Sequence, residues 1–348
     1  MTTTYRRPLA ERLDAATAHC ADLESLSRAV FDTVARDISF AFACLASTDP
    51  ATELIARAFK SHPLAIGEEG FAAAEYGGPD VNQFAELVRR PVPVGALSHD
   101  TGGHPDSCRR MREFMTPRFG FTDELRLACR ARDTTWAVLA LYRGPGEDAF
   151  TPRDAEVLGA VHETIAVAVQ RTLFTGPAAS PGAGGAAVLI VDADDRLTDA
   201  TAAAREQIEE LAAWDEGVLP TSVTAVAAQA RSTAQPATTR VLSRTGRWLA
   251  LRAMPLDATS SGAGSDRRSV VVTVDAAPAA AVGELALAAR GLTAREQDVT
   301  RLVLQGASTK DIAAALHLSQ HTVQDHLKSV FTKLQVNSRR EMIARLVL

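Results

Sequence analysis

Residues 291–348 constrain the fold of this chain more than any other stretch, because they carry the marks of short helices in close succession. A helix begins where a side chain can accept hydrogen bonds from the free N–H groups of its first turn. Three helix starts have capping-box spacing: Thr293 with Glu296, Ser308 with Asp311, and Ser338 with Glu341. A fourth start has a single cap, Ser319. Gly306 suits the left-handed end of the first helix. The pattern predicts four short helices.

The third of these helices has an apolar stripe on one side and a polar face on the other. The apolar stripe, at helical spacing, consists of Val323, Leu327, Val330, Phe331 and Leu334. The polar face consists of His321, Gln324, Asp325, Lys328 and Thr332. A small helical core that leaves one polar helix exposed is typical of a helix–turn–helix that reads the DNA major groove.

The charge of the tail agrees with that interpretation. Residues 291–348 contain 8 Lys and Arg against 5 Asp and Glu, a net charge of +3, whereas the whole chain carries −5 and the remainder therefore −8. Basic side chains that neutralise phosphates gain affinity by releasing counterions. Because three excess charges are few, we expect one copy to bind weakly and the protein to act as a homodimer.

Residues 291–348, about 58 of 348 residues, resemble the LuxR-type (NarL/FixJ-like) helix–turn–helix. The matching motifs are Leu292-Thr293-x-Arg295-Glu296, Gly306-x-Ser308-x-Lys310-x-Ile312-Ala313, Leu318-Ser319-x-x-Thr322-Val323-x-x-His326, and Lys333-Leu334 followed by Val336 and Arg339. The resemblance implies that the third helix enters the major groove of double-stranded DNA. It also implies that the last helix, 338–348, carries the dimer contact.

The resemblance further implies a set of DNA-binding residues. Gln324, Asp325 and Lys328 would face bases, and Thr322 and Lys333 would contact phosphates. The full predicted set is Lys310, Ser319, His321, Thr322, Gln324, Asp325, Lys328, Lys333 and Arg339.

Two residues depart from the family pattern. Many members have Lys where this chain has Gln324, and an apolar residue where it has Asp325. Gln can read adenine and Asp can accept a hydrogen bond from cytosine, although phosphates repel Asp. We therefore expect a different target sequence. The alternative for His321 and Asp325 is that they are only solvated surface residues.

The region before the tail predicts two α+β domains. Residues 8–174 suggest a long amphipathic helix over 8–36, strands, a last strand that ends at Arg143, and one closing helix from Thr151 to Leu173. This order resembles the GAF domain. The resemblance implies a central antiparallel sheet with helices on one face and a pocket on the other, but no particular ligand.

Residues 186–276 run as strand, turn, strand, short helices and three strands, which resembles a PAS domain. The Asn that usually follows the second strand is replaced here by about Thr201. Trp214 and Trp248 are expected in the core rather than in a pocket. Gly-, Pro- and Ala-rich composition predicts linkers at 175–185 and 277–290, and a hairpin loop at Ser260 to Asp266.

The remaining cues exclude several classes of protein. No apolar run approaches the roughly 18 residues of a membrane span, and four scattered cysteines favour a reducing bacterial cytoplasm. His99, His104 and Cys108 match no strong zinc signature and are expected in an ordinary polar loop. We expect Cys44 and Cys129 to pack as small apolar residues. No catalytic residue or metal site is predicted, and a cofactor is left open.

Together these features predict a multidomain one-component transcription regulator, with a GAF-like domain, a PAS-like domain and an all-α LuxR-type domain. A small-molecule effector would act at the first two domains, and RNA polymerase is a further expected partner. A two-component response regulator lacks support, since no receiver pattern is present, and the tryptophans of an acyl-homoserine-lactone pocket are missing. An enzyme with a regulatory tail would need a phosphate loop or nucleophile motif. The alternative left open is a ligand-free interaction or dimerisation module.

Overall fold

The structure is a computed structural model, and it divides into two compact units, Met1–Ala277 and Pro278–Leu348. The residues that it describes are 7–64, 70–174, 186–211, 219–256 and 269–347. The predicted linker 175–185, the loop Ser260 to Asp266 and Trp214 lie outside the described residues. Within the described ranges, no helix is both long and apolar enough to cross a membrane.

The first unit begins with an antiparallel sheet and its helices. Its strands are β1 (Phe42–Thr48), β2 (Ile55–Lys60), β3 (Val94–Ala96), β4 (Asp123–Ala131) and β5 (Thr134–Arg143), in the order β2-β1-β5-β4-β3. Its helices are α1 (Leu9–Thr17), α2 (Leu23–Val34), α3 (Phe71–Tyr76), α4 (Phe84–Leu87), α5 (Leu97–Asp100), α6 (Thr116–Phe119), α7 (Pro152–Gly159) and α8 (His162–Leu173). Helices α8, α1 and α2 pack together, and α8 also contacts β4 and β5.

Two single helices predicted from the sequence are wrong, because each is a pair. The stretch 8–36 divides into α1 and α2, since the Asp22 carboxylate accepts a hydrogen bond from Ser25 N at 2.7 Å and starts a new helix. The closing stretch divides into α7 and α8 at Val161, whose φ and ψ of −113° and 8° are not helical. There His162 Nδ1 lies 2.9 Å from the Arg130 carbonyl, which fixes the start of α8 against β4.

The second sheet repeats the topology of the first. Its strands are β6 (Ala187–Val191), β7 (Leu197–Ala200), β8 (Ala237–Leu242), β9 (Trp248–Pro255) and β10 (Val270–Ala276), in the order β7-β6-β10-β9-β8. Both sheets therefore have the order second, first, fifth, fourth, third. The sheet packs against α9 (Ala202–Leu211) and α10 (Thr221–Thr233). The sequence pattern did not predict the bounds of α10, the longer of the two helices. The predicted pair of α+β folds is confirmed.

The two sheets share part of one core. Leu54 and Ala56, next to and within β2, belong to the hydrophobic cluster of the second sheet. The buried Asp49 carboxylate accepts hydrogen bonds from the Arg240 backbone N at 2.8 Å and from its guanidinium at 2.6 and 3.0 Å. Trp248, which was expected in the core, is only half-buried and stacks on Phe174 with ring centroids 5.5 Å apart.

The second unit is all helical, as the sequence predicts. Its helices are α11 (Ala279–Ala289), α12 (Ala294–Leu304), α13 (Thr309–Leu316), α14 (Gln320–Leu334) and α15 (Arg339–Val347). Most of the predicted linker 277–290 is thus helix α11. Leu287 of α11 is buried in the same cluster as Val299, Ile312 and Val323. Because an exposed Leu would forfeit about 1.5–3 kcal/mol of burial, this contact holds α11 on the helical core.

Candidate nucleic-acid interface

The turn between α13 and α14 places α14 as the second helix of a helix–turn–helix. His317 closes α13 in the left-handed region, at φ 54°. Leu318 N then donates to the Ala313 carbonyl at 2.9 Å, which is the bond pattern of a left-handed helix end. The next residue is Ser319, whose hydroxyl accepts a hydrogen bond from Thr322 N at 3.0 Å and starts α14. The predicted cap at Ser319 is confirmed.

The other predicted helix ends follow the same logic. Thr293 and Ser308 form capping boxes with the residues three positions on, and Gly306 has φ 85°. At Ser338 the box differs in one bond. The Ser338 hydroxyl accepts from Glu341 N at 3.1 Å, but the Glu341 carboxylate accepts from the preceding Asn337 N at 2.7 Å.

Helix α14 has the two faces that the sequence predicts. The buried residues are Val323, Leu327, Val330 and Leu334, with Phe331 half-buried beside them. The opposite face exposes His321, Gln324, Asp325, Lys328 and Thr332. Side chains can enter a DNA groove only if they are not packed in the core of their own domain. The side chains on this face of α14 meet that condition.

Charges on this face are arranged around one carboxylate. Asp325 Oδ2 lies 3.6 Å from His321 Nε2, and Asp325 Oδ1 lies 3.9 Å from Lys328 Nζ. All three side chains are more than half exposed, so each attraction contributes little to stability. The Lys328 ammonium nevertheless offsets part of the negative charge that Asp325 would bring near phosphates.

Lys333 has a second partner that the sequence did not predict. Its ammonium lies 2.8 and 2.5 Å from the two carboxylate oxygens of Glu296, which also accept from Ser329 Oγ at 2.6 Å and from Thr293 N at 2.7 Å. Burial alone would raise the pKa of Glu296, but the bonds from Lys333, Ser329 and Thr293 lower it to about 2. Glu296 therefore joins the start of α12 to the far end of α14.

The remaining predicted residues lie at helix starts and in loops. Lys310 is exposed in the first turn of α13, and the Thr322 hydroxyl is 2.8 Å from Ser319 Oγ. The Arg339 guanidinium donates to the Ala307 carbonyl, in the loop that precedes α13. Arg295, which the sequence placed only in a motif, donates from Nη2 to the Leu316 carbonyl at 2.7 Å. These bonds fix the loops that flank the helix–turn–helix.

The histidines and cysteines of the first unit form no metal cluster among the described residues. The Cys108 thiol is buried and lies 3.3 Å from Asp80 Oδ2, and burial raises its pKa to about 11. Cys129 is buried on β4, where burial also raises its pKa, and Cys44 is half-buried on β1. Buried, protonated thiols pack as small apolar groups.

Comparison with known proteins bears on residues 290–346, which match the family model described as bacterial regulatory proteins, luxR family. The spore germination protein GerE of Bacillus subtilis is 38% identical over 56 residues, which are 16% of this chain and 76% of GerE. This chain belongs to the luxR family. The monoamine regulon transcriptional regulator of Klebsiella aerogenes is 43% identical over 54 residues, 16% of this luxR-family chain and 24% of that regulator.

The luxR-family match covers only part of most relatives. An HTH-type transcriptional regulator of Mycobacterium tuberculosis is 48% identical over 64 residues, 18% of this chain and only 7% of that protein. Among solved structures, a phage VqmA–DPO complex has a TM-score of 0.25 at 20% identity, covering 47% of this chain and 80% of VqmA. The GAF domain of an Acinetobacter phosphoenolpyruvate-protein phosphotransferase has a TM-score of 0.33 at 9% identity, covering 49% and 95%. Scores this low support no statement about fold.

Proposed function

We propose that this chain is a transcription regulator that recognises double-stranded DNA through the exposed face of α14. The observation that carries the proposal is the separation of faces on α14, with an apolar side buried in the helical core and a polar side left exposed. In a helix–turn–helix the second helix enters the major groove, where polar side chains meet base edges. Membership of the luxR family supports the same function.

Within that proposal, the predicted residues divide by what their side chains can reach. Gln324 and Lys328 are exposed on this face, Lys328 with its ammonium 3.9 Å from Asp325, and both are proposed to contact bases. Asp325 is proposed to accept a hydrogen bond from cytosine, and its negative charge is proposed to disfavour contact with phosphates. The residues proposed to contact phosphates or to hold the contacting loops are Lys310, Ser319, His321, Thr322, Lys333 and Arg339.

The first unit is proposed to control DNA binding. We assign residues 8–174 and 186–276 as GAF-like and PAS-like sensory domains, joined by 175–185, and 291–348 as the DNA-binding domain. A ligand there can shift DNA affinity only if it binds one conformation better than another. A homodimer, action on chromosomal DNA in the cytoplasm and contact with RNA polymerase belong to the same proposal.

The test selects a binding sequence from random duplex DNA with the full chain and then measures affinity by fluorescence anisotropy. Lys328→Ala should weaken binding to the selected sequence by about 10-fold or more, since a good base contact contributes roughly 1–3 kcal/mol. Arg301→Ala is the matched control, because it removes one exposed positive charge from α12 rather than α14.

Two results would contradict the proposal. Failure to enrich any sequence would show that the chain does not read DNA. Equal losses for Lys328→Ala and Arg301→Ala would show that charge, and not the face of α14, determines binding.

A further inference from the structure

Two arginines, one in a strand of the first sheet and one in a turn next to the second, line one cavity in the first unit. The cavity has a volume of about 260 Å³, and its wall includes Arg57 of β2 and Arg244, which follows β8. Among the described residues, no carboxylate forms an ion pair with either guanidinium. Burial and the nearby charge of Arg244 lower the pKa of Arg57, whereas the carboxylates of Asp22 and Glu24 raise it by less, so the two positive charges are close enough to repel each other. Such a pair favours an anion between them.

Other features of the wall agree with an anion site. Helix α10 begins at Thr221, which lines the cavity, and its first turn has no side-chain cap. The positive end of a 13-residue helix dipole therefore faces the cavity. The wall also includes one acidic residue, Glu24, which is largely exposed; its carboxylate lies 3.1 Å from Arg28 Nη2, and its charge acts on Arg57 less strongly than that of Arg244.

A second, apolar cavity adjoins the first. It has a volume of about 40 Å³, and it shares Ala58 and Thr221 with the larger cavity. Its wall is formed by Phe42, Phe71, Phe84, Met115, Val138 and Tyr142. A space of this size accepts the end of a hydrocarbon chain more readily than a ring. Its mainly apolar wall favours hydrocarbon over water.

The cation at the apolar cavity is not available for a ligand. Arg126 lies in that wall, but its guanidinium bonds to Glu75 at 2.8 Å and to the Asn82 carbonyl at 2.9 Å. It also stacks over the Phe84 ring at 3.7 Å. An anionic group would therefore lie at Arg57 and Arg244, with its apolar part directed towards the aromatic wall.

We propose that the paired cavities bind a short- to medium-chain organic carboxylate, with its carboxylate between Arg57 and Arg244 and its alkyl end passing between Ala58 and Thr221. This assignment rests on the sensory role proposed for the first unit, and it names the class of effector. Because Arg57 lies in β2 of the first sheet and Arg244 lies in the turn between β8 and β9 of the second, the ligand would bridge one sheet and a turn of the other near their shared core.

The experiment titrates the full-length protein with butanoate, hexanoate and octanoate by isothermal calorimetry, beside octanamide and inorganic phosphate. Affinity should rise from butanoate to octanoate, and octanamide and phosphate should bind at least 10-fold more weakly. Arg57→Gln or Arg244→Gln should lower octanoate affinity about 10- to 100-fold, the range for a charged hydrogen-bond pair. Arg153→Gln is the matched control, an exposed arginine of α7, and should leave affinity unchanged.

A second variant tests the path between the cavities. Ala58→Val narrows the junction and should weaken octanoate while sparing butanoate. Thr221→Val is the size-matched control at the same junction: it removes a hydroxyl without narrowing the path, so it should weaken all three carboxylates alike, and by less than either arginine variant.

Several outcomes overturn the proposal: no saturable binding of any carboxylate, equal binding of octanamide, tighter binding of phosphate, or arginine variants that bind as the wild type does. DNA binding is measured in parallel, both without ligand and with octanoate. If octanoate binds but DNA affinity does not respond, the carboxylate site stands and the proposed sensory role fails. If no DNA is bound at all, the proposed function fails independently of the site.

Discussion

The bond between Glu296 and Lys333 predicts how the DNA-binding unit responds to the loss of one charge. Glu296 is almost fully buried, and its pKa of about 2 lies below the ordinary value of 4.5. Full conversion of that difference gives about 3.4 kcal/mol, and we expect about 2–3 kcal/mol because exposed parts of Lys333 are screened by water. Glu296→Gln should therefore destabilise the helical unit by about 2–3 kcal/mol at pH 7.

Asp311→Asn provides the matched control. Asp311 occupies the same position in the capping box of α13, but it is exposed and bonds only to Ser308. Asp311→Asn should therefore destabilise the helical unit much less than Glu296→Gln does. Lys333→Met should be at least as damaging as Glu296→Gln, because it leaves a buried carboxylate without its cation.

The pH dependence has a definite sign. Because the folded pKa lies below the unfolded one, the stabilisation by Glu296 is complete above about pH 4.5 and is lost as the pH falls towards 2. At pH 3.5 about 1.4 kcal/mol should already be lost, so the gap between wild type and Glu296→Gln should shrink by that amount.

Hydrogen exchange followed by mass spectrometry measures the stability of the helical unit within the full chain. Peptides covering 294–304 and 320–334 should open roughly 30- to 150-fold more often in Glu296→Gln at pH 7, the equivalent of 2–3 kcal/mol. Comparison of both proteins at each pH removes the intrinsic pH dependence of exchange. Equal protection in the two proteins, or an equal loss in Asp311→Asn, would refute the reasoning.

Three further outcomes are expected. Asp325→Ala should raise affinity for unrelated DNA more than for the selected sequence, because it removes a charge that phosphates repel; gel shifts with both DNAs check this, and an unchanged ratio would count against a reading role. Affinity should fall steeply with salt in anisotropy titrations, and a flat dependence would contradict phosphate contact. Two chains should occupy each selected duplex in analytical ultracentrifugation, whereas a single bound chain would contradict the proposed homodimer.

Local signals explain which parts of the fold could be predicted. A capping box joins residues three apart, and a helix face repeats every three or four residues. Ser308, Ser319 and Gly306 could therefore be placed from sequence alone. The same local signals mislead over residues 8–36, where apolar spacing continues through the break that the Asp22 cap introduces. The apolar pattern of a helix pair can match that of one long helix.

By itself, the sequence determined the helices of residues 291–348 and the polar face of α14, because caps and periodicity depend only on near neighbours. Only the tertiary structure decided that Lys333 meets Glu296, 37 residues away, and that Arg240 meets Asp49 across 191 residues. It also decided that Arg57 and Arg244 face one cavity. Which distant charges become partners depends on how sheets and helices pack, and no local pattern records that.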